Sequence, residues 1–246
     1  MTLGEFSNQF DVLVSSYRRF KDFDNREFLD SIEFDEYEKS LFLTKAQEEL
    51  VNSLYSGKNA YEDSFERTEE LRRLLSNLVV EENLSPISSL SSTPLGMNSS
   101  SKFFTLPDDL WYITYEAVRV DREDGCEDTQ ILDVVPITQD KYHRVKRNPF
   151  RGANTKRALR LDLADGVVEI VSNYNVTSYY VRYVKRPEPI ILTTLPDDLS
   201  IGNMVNANPC KLHSALHQRI LEDAVRMALQ SKGIAVKEEQ RNNNNQ

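Results

Sequence analysis

Between Phe34 and Gly57 the apolar side chains Phe34, Tyr37, Leu41, Ala46, Leu50 and Leu54 return at the spacing that lines up one face of a helix. Leu43, Val51 and Tyr55 broaden that face, which predicts a helix with neighbours on more than one side. Asp35, Glu36 and Glu38 place negative charge in the first turn, and Gly57 is a natural stop. The same period predicts helices over 2–19 (Leu3, Phe6, Phe10, Leu13, Val14, Tyr17) and over 63–82 (Phe65, Leu71, Leu74, Leu75, Leu78, Val79). A further helix is predicted over 214–232 from Leu216, Ile220, Leu221, Ala224, Val225, Ala228 and Leu229. Residues 20–33 carry aromatic side chains without a clear period and read as a short helix or an ordered loop.

Past residue 101 the period falls to two. Segments 111–120, 129–135, 157–163, 167–173 and 177–186 are rich in β-branched and aromatic residues. Asp124-Gly125 and Asp165-Gly166 mark hairpin turns between them. Residues 138–147 predict a short helix, with Thr138 as cap and Pro149 as stop.

These elements predict an α+β chain: a helical bundle of about four helices, the last from the C-terminus, carrying a small antiparallel β insertion and extended arms. The expected boundaries are 1–84 for the N-terminal part of the bundle, 85–101 for a linker and 102–186 for the β insertion. Then follow 187–210 as an extended connection, 211–233 as the last bundle helix and 234–246 as an Asn-rich tail. The linker holds eight serines, two prolines and one glycine, too little apolar material for a core.

Charge sharpens this division. The net charge is -9, and residues 1–82 account for it with 19 acidic and 10 basic side chains. Residues 83–246 carry 20 of each. Mean hydropathy is -0.52, and neither a membrane span nor a secretory signal is visible, so the chain is expected in the cytoplasm where it is made. Two cysteines, Cys126 and Cys210, fall short of a disulfide framework and allow at most one bridge.

Candidate chemistry is sparse. Cys210, His213 and His217 have the order of zinc ligands, but no second cluster completes four, so a helix N-terminus carrying two histidines is the plainer reading. The stretch 121–133 resembles a calcium loop but has Gly125 at the fifth position and Cys126 at the sixth, where glycine belongs at the sixth. Leu-Pro-Asp-Asp-Leu occurs at 106–110 and again at 195–199; both copies suit turns. Phosphate-binding glycine loops, nucleophile elbows and metalloprotease motifs are absent, so no enzyme, metal or cofactor is expected.

One signal stands out. Residues 141–160 hold eight cations and no acid: Lys141, Arg144, Lys146, Arg147, Arg151, Lys156, Arg157 and Arg160. Tyr142 and Phe150 lie among them, a combination that fits contact with phosphates or with an acidic partner such as the N-terminal helices of a neighbouring copy. The alternative is a solvated helix and loop.

The segments FDEYEKSLFLTKAQEELVNSLY, YVKRPEPIILTTL and LHSALHQRILEDAVRMAL resemble those of head-to-tail connector (adaptor, or neck ring) proteins of short-tailed bacteriophages, the crAss-like phages in particular. That resemblance implies a non-enzymatic virion protein in the neck or tail. It would form a ring of identical subunits, twelve to match the portal, with the genome in its lumen. Its partners would be its own copies, the portal, the next tail or neck ring and genomic DNA, with no membrane. By position, Lys237, Arg241, Asn242, Asn243, Asn244, Asn245 and Gln246 match a portal-docking tail. Two other readings compete: a monomeric scaffold or regulatory protein using the basic stretch, and a hydrolase or metal enzyme using His213 and His217.

Overall fold

The structure is a computed structural model that describes residues 1–19, 33–57, 68–87, 101–121, 130–196 and 198–233. It comprises two compact units, one formed by Met1–Asn77 with Pro187–Gln246 and the other by Leu78–Arg186.

In the first unit, helices α1 (Leu3–Arg19), α2 (Glu36–Ser56) and α5 (His217–Ser231) pack together. α2 starts with a capping box, in which the Glu38 amide donates to Asp35 Oδ1 at 2.6 Å and the Asp35 amide to Glu38 Oε2 at 3.2 Å. Gly57, at φ 79°, ends it in the left-handed region. Leu43, Ala46, Leu50, Val51 and Leu54 are buried. So are Ser40, Thr44 and Gln47, which sit at helical spacing and pin the extended segment after Pro187. Ser40 Oγ accepts from the Leu192 amide at 3.0 Å, and Gln47 Nε2 donates to the Glu188 carbonyl at 2.8 Å. Between them Thr44 Oγ1 accepts from the Ile190 amide and donates to the Ile190 carbonyl. The helix thereby satisfies one side of a strand-like backbone whose other side makes an isolated antiparallel bridge between Ile191 and Asn208. Ile191, Leu195 and Ile201 of this segment then pack with Tyr37 and Leu41.

The second unit is a seven-stranded sheet: β1 (Val79–Leu84), β2 (Lys102–Thr105), β3 (Leu110–Asp121), β4 (Gln130–Ile137), β5 (Arg157–Asp162), β6 (Val167–Val171) and β7 (Asn175–Lys185). Their spatial order is β1-β7-β3-β4-β5-β6-β2. All neighbours pair antiparallel except β4 and β5, which run parallel and therefore need a crossover. Helix α4 (Gln139–Lys146) supplies it. Three register shifts along β3 add local twist, and the sheet curls. Val80 and Leu84 from one edge strand and Phe104 from the other meet in a single core with Val118, Leu132, Ile170, Tyr179 and Val181. Beyond β1, the Ile87 amide donates to the Phe103 carbonyl of β2 at 2.8 Å, so the chain leaving one edge bonds to the other.

The expected fold class is thus corrected. Among the described residues this is an α+β chain built around a seven-stranded curled sheet with five α-helices, not a helical bundle with a small antiparallel insertion. The helix expected over 63–82 supplies only α3 (Glu69–Leu74) and a short 3-10 turn among its described residues before the chain becomes β1. Leu71, Leu75 and Leu78 have helical spacing, yet Val79–Leu84 pair along β7 instead. β2 lies just past a serine-rich run and shows only Phe103 and Phe104 as apolar signal.

Candidate interaction face

The crossover decides what the basic stretch can do. Tyr142 is fully buried and anchors α4 on Leu159, Leu161 and Val171, with Val145 and Ala153 alongside. Anchoring those positions turns Lys141, His143, Arg144, Lys146 and Arg147 to solvent. Their charge accumulates towards the C-terminal end of α4, where the helix dipole favours cations. Lys146 Nζ lies 5.7 Å from the centre of the Tyr142 ring, a cation–π distance.

The loop after α4 is tightly folded. The Asn148 carbonyl accepts from the Arg151 and Gly152 amides at 3.1 and 2.8 Å, and Asn148 Oδ1 accepts from the Phe150 amide at 2.9 Å. A Cβ on Gly152 would meet the Asn148 and Val145 carbonyl oxygens at 3.2 and 3.3 Å, which explains the glycine. Arg157 is half-buried and donates to the Phe150 carbonyl at 3.1 Å. Arg151 and Lys156 are exposed, and Phe150 is 85% exposed at the loop's tip. Six exposed cations and one exposed aromatic ring therefore lie on α4 and the braced loop that follows it.

Arg160 is not part of this face. It turns into the curled sheet, where Nη1 donates to Glu116 Oε2 at 2.7 Å and Nε pairs with Asp162 at 2.9 Å. The Tyr179 hydroxyl donates to the same Glu116 oxygen at 2.6 Å. Burial pushes the Glu116 carboxyl above the usual carboxylate range, while Arg160 and the Tyr179 hydroxyl pull the other way. Burial, and then the Glu116 charge, hold the Tyr179 phenol well above its ordinary value. Sequence reading missed this network because no hydrophobic pattern ties Glu116 to Arg160.

The other candidates do not converge. The Cys210 thiol donates to Gln47 Oε1, and burial pushes its pKa up. His213 Nδ1 accepts from the Ala215 amide. His217 is buried, with Nδ1 2.7 Å from the Met1 amine and Nε2 3.0 Å from the Leu212 carbonyl; burial lowers its pKa. The described residues bring together no group of three or more side chains suited to a metal ion. Both Leu-Pro-Asp-Asp-Leu copies form turns, with the Leu110 amide on the Pro107 carbonyl and the Leu199 amide on the Pro196 carbonyl. Residues 122–129 of the calcium-like stretch and the tail residues Lys237, Arg241, Asn242, Asn243, Asn244, Asn245 and Gln246 lie outside the described residues. No described helix is long and apolar enough to cross a membrane.

Comparison with known proteins adds what geometry alone does not. Residues 1–240 match the model of the phage tail ring protein 3/4 family. The chain belongs to that family. It is 45% identical over 234 residues to Ring protein 3 of Bacteroides phage crAss001, covering 94% of this chain and 96% of that protein. It is 31% identical over 238 residues to Ring protein 4/5 of the same phage, covering 93% and 92%. The resemblance drawn from three segments thus holds along nearly the whole length of this ring-protein family member.

Proposed function

We propose that this chain is a non-enzymatic structural protein of the virion, assembling with copies of itself into a ring that joins the portal to the tail. The genome passes through the lumen of that ring. The observation that carries this reading is the near full-length similarity to a protein named for its ring. Twelve copies would match the portal. The braced basic face of α4 and its loop serves the contacts of the ring, and the C-terminal segment from Lys237 reaches towards the portal. The family match over 1–240 and the exposure of six cations on α4 and its loop favour this role.

Assembly on a purified portal tests it. Wild-type protein sediments with the portal as a discrete heavy species, and R144E/K146E/R147E does not, or yields particles that lose their genome. Wild-type assembly and infectivity in that triple variant would leave the basic face a solvated surface. A wild-type chain that stays monomeric beside the portal would favour an independent binding protein instead.

A further inference from the structure

We propose that Phe150 of one copy seats in a groove beside Val12 and Leu13 of the next, making a knob-and-groove contact that propagates around the ring. The inference rests on the ring reading and assigns it an interface.

Large exposed apolar side chains are few among the described residues: Val12 at 67%, Tyr115 at 47%, Ile131 at 63% and Phe150 at 85%. Scattered exposure is ordinary, but Phe150 combines it with a backbone already fixed by Asn148 and Arg157. Such a residue has little backbone freedom left to lose on docking, a condition that helps one aromatic contribute strongly to an interface.

A groove of complementary character lies between α1 and α5. Asn8, Gln9, Val12, Leu13 and Gln218 line an open depression of about 270 Å³ with mainly apolar walls. That is below the ~300 Å³ at which small-molecule sites begin, and it suits one inserted side chain better than a cofactor. Charge selects the occupant. Glu5 lies one helical turn before Gln9 and is exposed. Glu222, also exposed, accepts from Gln218 at 3.0 Å on the neighbouring turn of α5. Beside Phe150 stand the exposed Arg147 and Arg151. A basic knob and an acid-flanked groove attract each other, whereas two knobs or two grooves repel.

Knob and groove are different patches of the same chain, so each contact leaves a free knob on one side and a free groove on the other. That is a heterologous interface, the type that generates rings when the rotation closes. A channel-lining role for the same loop would need its cations but not an exposed phenylalanine on a fixed backbone.

Cysteine pairing on assembled protein tests the contact. V12C/F150C in one chain, oxidised under ring-forming conditions, is expected to give a ladder of covalent multimers on a non-reducing gel. An equal mixture of the two single variants should stop at dimers, and neither single variant should cross-link alone, which also controls for Cys126 and Cys210. F150D should lower the ring fraction at least about tenfold, as loss of a central aromatic anchor does, while F150W retains it. Normal rings in F150D, or rings of V12C/F150C that do not cross-link, would overturn the proposal and leave the ring reading intact. F150D particles that keep their rings but lose their genome would also overturn it, in favour of a DNA contact. A wild-type chain forming no ring overturns the ring reading and this contact together.

Discussion

Arg147 and Arg160 come from one basic run, and their environments are opposite. Arg147 closes α4 in open solvent. Arg160 is 9% exposed, locked to Glu116 and Asp162 within the curled sheet. The two aromatic residues of the run divide the same way, Tyr142 at 0% exposure and Phe150 at 85%. What separates the members of each pair is the direction their backbone gives them. On β5, Ala158 faces the sheet's core while Leu159 and Leu161 face α4, so both sides of the strand are covered. A strand buried on both faces loses the alternation that would mark a charged residue as outward. Charge density alone therefore overstates the exposed basic surface, and the crossover helix shows which of the eight cations remain in water.

The largest expected effect tests that contrast directly. Arg160→Ala strands the Glu116 carboxylate in the sheet interior and should cost roughly 3–5 kcal/mol in urea unfolding. Arg147→Ala should leave the unfolding midpoint unchanged; equal losses in both variants would break the comparison. Tyr142→Ala removes the anchor of α4, at a cost of about 3 kcal/mol or a little more by the precedent of buried aromatic truncations. Phe150→Ala should leave stability alone and change assembly. Thr44→Val sharpens a different point, since it leaves the Ile190 amide and carbonyl without their hydroxyl partner at a cost of roughly 1–3 kcal/mol. Denaturation that is unchanged there would mean the Thr44 hydroxyl does not help to hold the extended segment.

A smaller effect concerns Glu169, which is fully buried on β6. Burial pushes its carboxyl above the ordinary 4.5, with the Ser101 hydroxyl opposing. The folded state then binds this proton more readily than the unfolded state. Its influence is most favourable below the ordinary value and declines as pH rises from there through the raised folded value. Glu169→Gln should flatten that part of the stability profile, measured by urea midpoints between acid and neutral pH. A profile identical to wild type would remove Glu169 from the account.

Helices α1, α2 and α5 were legible because each buries one stripe of a 3.6-residue period. Strands β3 to β7 were legible because their β-branched and aromatic residues lie between turn signals. The edge strands were not. β1 begins within two residues of Asn77, and its two valines extend a helical stripe already running through Leu71, Leu75 and Leu78. β2 offers two phenylalanines after a serine-rich run. Both owe their strand state to partners far along the chain, Tyr179–Val184 for β1 and Val167–Ile170 for β2, which no local window contains. The exposed basic surface was half legible: the cations announced it, while the buried Arg160 and the bracing of Phe150 emerge only from register and crossover.

Mixing purified wild-type chain with portal, separating by sedimentation velocity and imaging the heavy fraction addresses the central claim most directly. Self-assembly predicts closed rings of identical copies stacked on the portal, with no free monomer peak at saturating portal. A single light species beside an unaltered portal would contradict it.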